Sequence, residues 1–181
     1  MVQTIETPLS QAAAIELKSG DRVLISGYVF TARDAAHRKL LETMEAGGEL
    51  PISLTDAILY YVGPTPGFDT HAVGSAGPTT ASRMDAYASK LYAMGLRGTI
   101  GKGNRSEIVQ QAIVRHKAVY FAALGGIGAL LSRCIQEAEV VAYPELGTEA
   151  VYRLKLHQFP AIVIYDSHGH DFYSSVREMQ R

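Results

Sequence analysis

The sequence predicts an α/β fold. An apolar strand, a glycine-bearing loop and a helix follow one another several times along the chain. Hydrophobic residues make up 47% of the 181 positions, which supplies one sizeable buried core and is read as a single domain over 1–181. No low-complexity tract and no repeat of fixed period interrupts the pattern.

The first unit begins at the turn Ser19-Gly20-Asp21, continues as a strand over 22–30 and reaches Thr31-Ala32-Arg33-Asp34. Asp34 suits the N-cap of a helix over 35–46, whose Leu40, Leu41 and Met44 share one side and which stops at Gly47-Gly48. Arg33 then sits just before the positive end of that helix.

The second unit has a strand over 57–62, broken by Gly63-Pro64-Thr65-Pro66-Gly67, and a long loop into Gly77-Pro78-Thr79-Thr80-Ala81-Ser82-Arg83-Met84-Asp85. Pro78 fixes φ, Thr79 or Thr80 caps the free N–H groups, and Gly95 closes the helical run after Met94. On such a helix Thr79 and Arg83 stand at i and i+4, on one face. The pattern has two readings. One is an ordinary capped helix with a surface arginine. The other is an anion site with a proton-transfer group beside it.

The third unit is Gly98-Thr99-Ile100-Gly101-Lys102-Gly103-Asn104-Arg105-Ser106-Glu107, where flanking glycines let the backbone approach a ligand and Asn104 with Glu107 resembles a capping box. A helix through His116 and a strand over 118–123 follow. Gly125-Gly126-Ile127-Gly128 then opens a helix over 129–138, without a cation.

Three helix starts thus present one cation each: Arg33, Arg83 and Lys102. Helix N-termini already favour anions, so these charges are redundant for stability. They make sense if they converge on a ligand with more than one negative group. A small dicarboxylate fits better than a nucleotide, because neither a G-x-x-x-x-G-K-[ST] loop nor a complete G-x-G-x-x-G is present.

Composition narrows the partners. A formal net charge of -1 gives no electrostatic reason to expect nucleic acid or an anionic membrane. No apolar run approaches the roughly 18 residues of a membrane span, and Met1-Val2-Gln3-Thr4-Ile5-Glu6 lacks a basic region followed by an apolar one, so a cytoplasmic protein is expected. The single cysteine, Cys134, forms no internal disulfide and cannot by itself hold zinc or an iron-sulfur cluster. If a cluster is needed, another chain must carry it.

These segments resemble the C-terminal domain, or separate β subunit, of the class I iron-sulfur hydro-lyases, class I fumarase and L(+)-tartrate dehydratase. The resemblance rests on residues 26–37 around Phe30-Thr31-Ala32-Arg33-Asp34, on Tyr61-Val62-Gly63-Pro64-Thr65-Pro66, on the nonapeptide from Gly77 to Asp85 and on Ile100-Gly101-Lys102-Gly103. The stretches 139–147 and 159–163 also look like the family, so nearly the whole chain is covered.

The resemblance implies a swivelling β/β/α domain, a mixed sheet with flanking helices. It implies a partner α subunit that holds a 4Fe-4S cluster with one open iron, in a homodimerised heteromer. Arg33, Arg83 and Lys102 look like ligands of the substrate carboxylates, and Thr79 like a group in proton transfer at the substrate carbon. The implied reaction is reversible hydration of a C4 dicarboxylic acid, fumarate/malate first and tartrate next. Arg97 stands where the family more often has an apolar residue, and Ser82 where glycine is frequent. Neither removes a functional side chain, but the two leave substrate identity open.

Other residues carry weaker signals. His37 follows Arg33 by one turn, where a solvated helix face competes with a ligand contact. His168-Gly169-His170-Asp171 clusters ligand types, yet reads as a polar turn between two strands. Asp69 and His71 lie in the loop before the nonapeptide and either gate the site or only solvate it. The ten tyrosines are placed against the core with their hydroxyls at its edge. The competing function is a non-catalytic binding or assembly module that kept the fold and the anion site. A cluster-free hydratase is disfavoured, because no other electrophile is visible.

Overall fold

In a computed structural model, which describes residues 2–179, the strands are β1 (Val2–Glu6), β2 (Arg22–Thr31), β3 (Ile58–Tyr60), β4 (Gly98–Gly101), β5 (Val119–Ala122), β6 (Ile135–Ala142) and β7 (Val151–Tyr165). The helices are α1 (Gln11–Glu16), α2 (Asp34–Glu45), α3 (Asp85–Ala93), α4 (Glu107–Arg115), α5 (Gly128–Leu131) and α6 (Phe172–Met179). Strands β1 to β5 run parallel in chain order, with Phe30 opposite Leu59, Ile58 opposite Gly98 and Gly98 opposite Val119. The long β7 runs antiparallel to both β2 and β5, which closes β2-β3-β4-β5-β7 into a ring. β6 pairs antiparallel with the first part of β7, from Val151 to Leu156.

The strand period explains why the short run 57–62 is apolar throughout. Successive side chains point to opposite faces, and both faces of this sheet are covered. Leu59 and Tyr61 join a core with Leu40 of α2, Leu91 of α3 and Ile113 of α4. Ile58, Tyr60 and Val62 join a second core with Leu154, Phe159 and Val163 of β7 and Ile25 of β2. The layers are therefore helix, parallel sheet and antiparallel sheet, the β/β/α order expected.

Several local readings need correction. Residues 129–138 are not one helix: α5 ends at Leu131, a 3-10 turn covers Ser132–Cys134, and β6 begins at Ile135. Pairing with β7 overrides the helix-favouring Gln136-Glu137-Ala138. Asp34 is the first residue of α2 and Arg33 holds the cap position. Ser106, not Asn104, precedes α4, without a side-chain cap bond. The turn at His168 leads into α6 rather than a second strand.

Thr79 lies outside any helix. Its N–H donates to the Tyr61 carbonyl at 2.7 Å and its carbonyl accepts from Lys102 N–H at 3.1 Å, so it is extended backbone between two strand ends. Arg83 sits in the 3-10 turn Ala81–Met84 that precedes α3. The two residues are neighbours by strand-end packing, not by an α-helical i, i+4 spacing.

Candidate active site

The loops that carry the residues singled out in the sequence follow the carboxyl ends of β2, β3 and β4, the end at which parallel α/β strands, open or closed, bind ligands. Arg33 follows β2 by two residues. Thr79 is clamped to Tyr61 just past β3, and Lys102 follows β4 directly. Thr80 and Lys102 form a parallel bridge, and Ala81 N–H donates to the Lys102 carbonyl at 2.8 Å. This pairing extends β4 by one residue, so Lys102 belongs to a strand end rather than to the start of α4.

Arg33 and Arg83 are joined through Asp34. Arg83 donates from Nε at 3.1 Å and from Nη2 at 2.6 Å to the two carboxylate oxygens of Asp34. Arg33 Nη2 lies 3.3 Å from Glu149 Oε1. The other Glu149 oxygen accepts from Ala35 N–H at 3.0 Å, so the first turn of α2 is capped from the segment just before β7. Among the described residues Lys102 pairs with no carboxylate, and the half-buried Thr79 makes no side-chain hydrogen bond. Its hydroxyl is left free on a fixed backbone.

Two glycines make the close approaches possible. A Cβ on Gly63 would lie 2.9 Å from Arg33 Nη1 and 2.9 Å from the Thr148 carbonyl, so only glycine lets the Arg33 side chain cross there. A Cβ on Gly101 would meet the Tyr61 ring at 3.0 Å and Ala81 at 3.1 Å. Gly125 lies against the aliphatic part of Lys102, and Gly128 packs on Ser75 and Gly77. The glycine-rich run at 125–128 therefore serves close packing around the site loops.

Below the site is a buried polar junction that the sequence reading missed. Arg105, its side chain wholly inaccessible, pairs with Asp85 at 2.6 Å and donates to Tyr61 Oη and Thr99 Oγ1, both at 3.2 Å. Asp85 also accepts from Ser106 N–H at 2.6 Å. The loops that carry Thr79, Arg83 and Lys102 thus share one foundation. The nearby carboxylate and tyrosine oxygens outweigh burial and hold the Arg105 guanidinium firmly protonated. The signal in the sequence was only a second basic residue, after Lys102, in the 98–107 segment.

His37 is buried, not solvated as the sequence suggested. Its ring sits between Tyr61 and Tyr87, its Nδ1–H donates to the Arg33 carbonyl at 2.8 Å, and Nε2 has no partner. Burial pushes its pKa down to about 4, so the ring is neutral and supports the Arg33 turn from beneath. Asp69 and His71 lie near the exposed tip of a loop whose base is pinned by Thr65 and Ser75. At the opposite end of β4, Arg97 binds Asp56 and the carbonyls of His116 and Lys117. These contacts make Arg97 structural and place it away from the site.

The described residues do not fit a metal centre. Among the described residues no group of three or more His, Cys, Asp or Glu stands close enough to hold an ion. Cys134 is half-buried, and burial raises its thiol pKa, away from the thiolate that ligation needs. His170 is instead tied to Asp166 at 2.8 Å in the turn before α6. No helix of the described residues is long and apolar enough to cross a membrane.

Residues 2–176 match the Fumarase C-terminus family. The chain belongs to that family. Its relatives include the aerobic class I fumarate hydratase of Escherichia coli strain K12, 40% identical over 163 residues that cover 88% of this chain and 29% of the relative. Fumarate hydratase 2 of Leishmania major is 40% identical over 157 residues, 86% of this chain and 28% of that one. A protein provisionally named L(+)-tartrate dehydratase subunit beta, from Methanocaldococcus jannaschii, is 35% identical over 169 residues, 90% of this chain and 87% of the relative. As a member of the Fumarase C-terminus family, the chain thus spans under a third of those two fumarate hydratases and nearly all of the β subunit.

Proposed function

We propose that this chain is a single-domain β-type half of a hydro-lyase that reversibly hydrates a C4 dicarboxylic acid, fumarate/malate first and tartrate next. The observation that carries the reading is the gathering of Arg33, Lys102 and the free Thr79 hydroxyl at three adjacent strand ends, with Arg83 brought beside them by its pair with Asp34, in a chain of this family. Arg33, Arg83 and Lys102 bind and orient the two carboxylates. A guanidinium offers a forked pair of donors to each, and Lys102 adds a point charge.

Thr79 moves the proton at the substrate carbon. A threonine hydroxyl is a weak base, so this role depends on the surrounding cations and on exclusion of water when a partner covers the site. The peptide clamp from Tyr61 and Lys102 keeps the hydroxyl in place while charge develops on it. With one cysteine, the chain leaves a 4Fe-4S cluster to a companion α subunit in a homodimerised heteromer. When bound there, the cluster supplies a Lewis acid for the leaving hydroxyl.

The test is anaerobic coexpression with a cluster-bearing α subunit, followed by assays of fumarate hydration and L(+)-tartrate dehydration. Turnover of one or both is expected. No turnover of either with a fully loaded cluster overturns the reading.

A further inference from the structure

We propose that Asp34 and Glu149 are positioning residues, carboxylates that hold the guanidinium groups of Arg83 and Arg33 in the orientation that meets a dicarboxylate. The inference rests on the functional reading above and adds two residues to it. Along the mouth of the site the charges alternate: Glu149, Arg33, Asp34, Arg83.

Asp34 takes the side-on edge of Arg83 through Nε and Nη2, which leaves the end-on fork of that guanidinium without a partner among the described residues. Glu149 takes one end of Arg33 and at the same time caps Ala35 N–H, so it ties the arginine to the helix that carries Asp34. A planar guanidinium held at one edge presents the other in a fixed plane. Arg83 without that hold is a long side chain, 48% exposed, on a single 3-10 turn, and it loses rotamer freedom only when substrate arrives.

Stability does not explain the Asp34–Arg83 pair. At this exposure, ion pairs contribute little to folding. Each carboxylate also cancels one positive charge facing a dianion, which weakens ground-state attraction. Removing Asp34 therefore loosens geometry while it strengthens attraction, and these two effects act on different kinetic constants.

The test compares the wild-type αβ complex with D34N, D34E and E149Q, each with loaded cluster, by kcat, KM and thermal midpoint. D34N is expected to lower kcat about 10- to 100-fold with KM unchanged or lower and the midpoint nearly unmoved. D34E recovers part of kcat, and E149Q follows D34N in direction. A kcat within about twofold of wild type in D34N, or a KM that rises while kcat holds, overturns the inference. A second measurement does not need turnover. In 15N-labelled chain the Arg83 Nε–H resonance, assigned through R83K, is expected apart from the solvent-averaged arginines and to merge with them in D34N. An unmoved resonance overturns the positioning role. If the wild-type complex turns over no C4 dicarboxylate, the functional reading falls and the resonance alone decides what Asp34 does.

Discussion

Arg83, Arg33, Lys102 and Thr79 stand out in the sequence because each is a charged or hydroxyl side chain in or beside a loop marked by glycine or proline. Their partners could not. Glu149 lies 114 residues from the amide it caps, and no local pattern announces such a contact. His37 was misjudged for a related reason: its neighbours Tyr61 and Tyr87 come from other elements. Arg83→Ala is expected to abolish turnover of the αβ complex while the thermal midpoint stays close to wild type, since a half-exposed ion pair contributes about 0 to 1 kcal/mol. Gly63→Ala forces Arg33 Nη1 or the Thr148 carbonyl to move, so activity drops more than stability, read by kcat/KM against urea midpoint. His37 yields a pH signature. Its folded pKa of about 4 lies below the ordinary 6.5, so the unfolded chain takes up the proton first as pH falls. Its contribution is fully present above pH 6.5 and is lost as pH drops toward 4, up to about 3 kcal/mol. Thermal midpoints across that range are expected to fall less steeply in His37→Gln.

At the scale of elements, the strands of residues 57–62 and 118–123 were legible because buried parallel strands read as unbroken apolar runs, and that of residues 22–30 because Val23, Ile25 and Val29 recur at a period of two. β6 was not. Its Gln136, Glu137 and Ala138 favour helix, and only the antiparallel contact with Leu154 and Lys155 makes it a strand. β7 was visible only near its end, where Ile162-Val163-Ile164 is apolar. Earlier, Gln158 adopts a left-handed φ of 50° and the pairing with β2 shifts, which breaks the period of two. The junction of α3 with α4 also depends on a remote pair. Asp85→Ala leaves the Arg105 charge buried and unpaired and is expected to cost about 3 to 5 kcal/mol, measured by urea denaturation. The same change loosens Ser106, and with it the loop that carries Lys102.

For the whole molecule, the layer order was implied by family resemblance, whereas the ring was not, because closure depends on which strands β7 finds. Its hydrogen bonds to both β2 and β5 leave those strands without a free edge at the pairing sites. Among the described residues, β1 and β6 each pair with one strand. Native-state hydrogen exchange is therefore expected to label β1 and β6 before β3, β4 and β5, and equal protection across all of them would contradict the ring as the stable unit.

The cap that Glu149 places on α2 bears on the order in which the molecule assembles. Helix α2 lacks a local side-chain cap, and its first turn is completed by chain that leaves the ribosome more than a hundred residues later. Contacts of such separation form late, because the loop must close before it is rewarded. The corner around Arg33 and Arg83 is thus finished only after Glu149 has joined it. A nascent or truncated chain that ends before Glu149 carries Arg33 and Arg83 but holds Arg33 without its carboxylate, so the corner proposed to take a dicarboxylate is complete only once that late segment is in place.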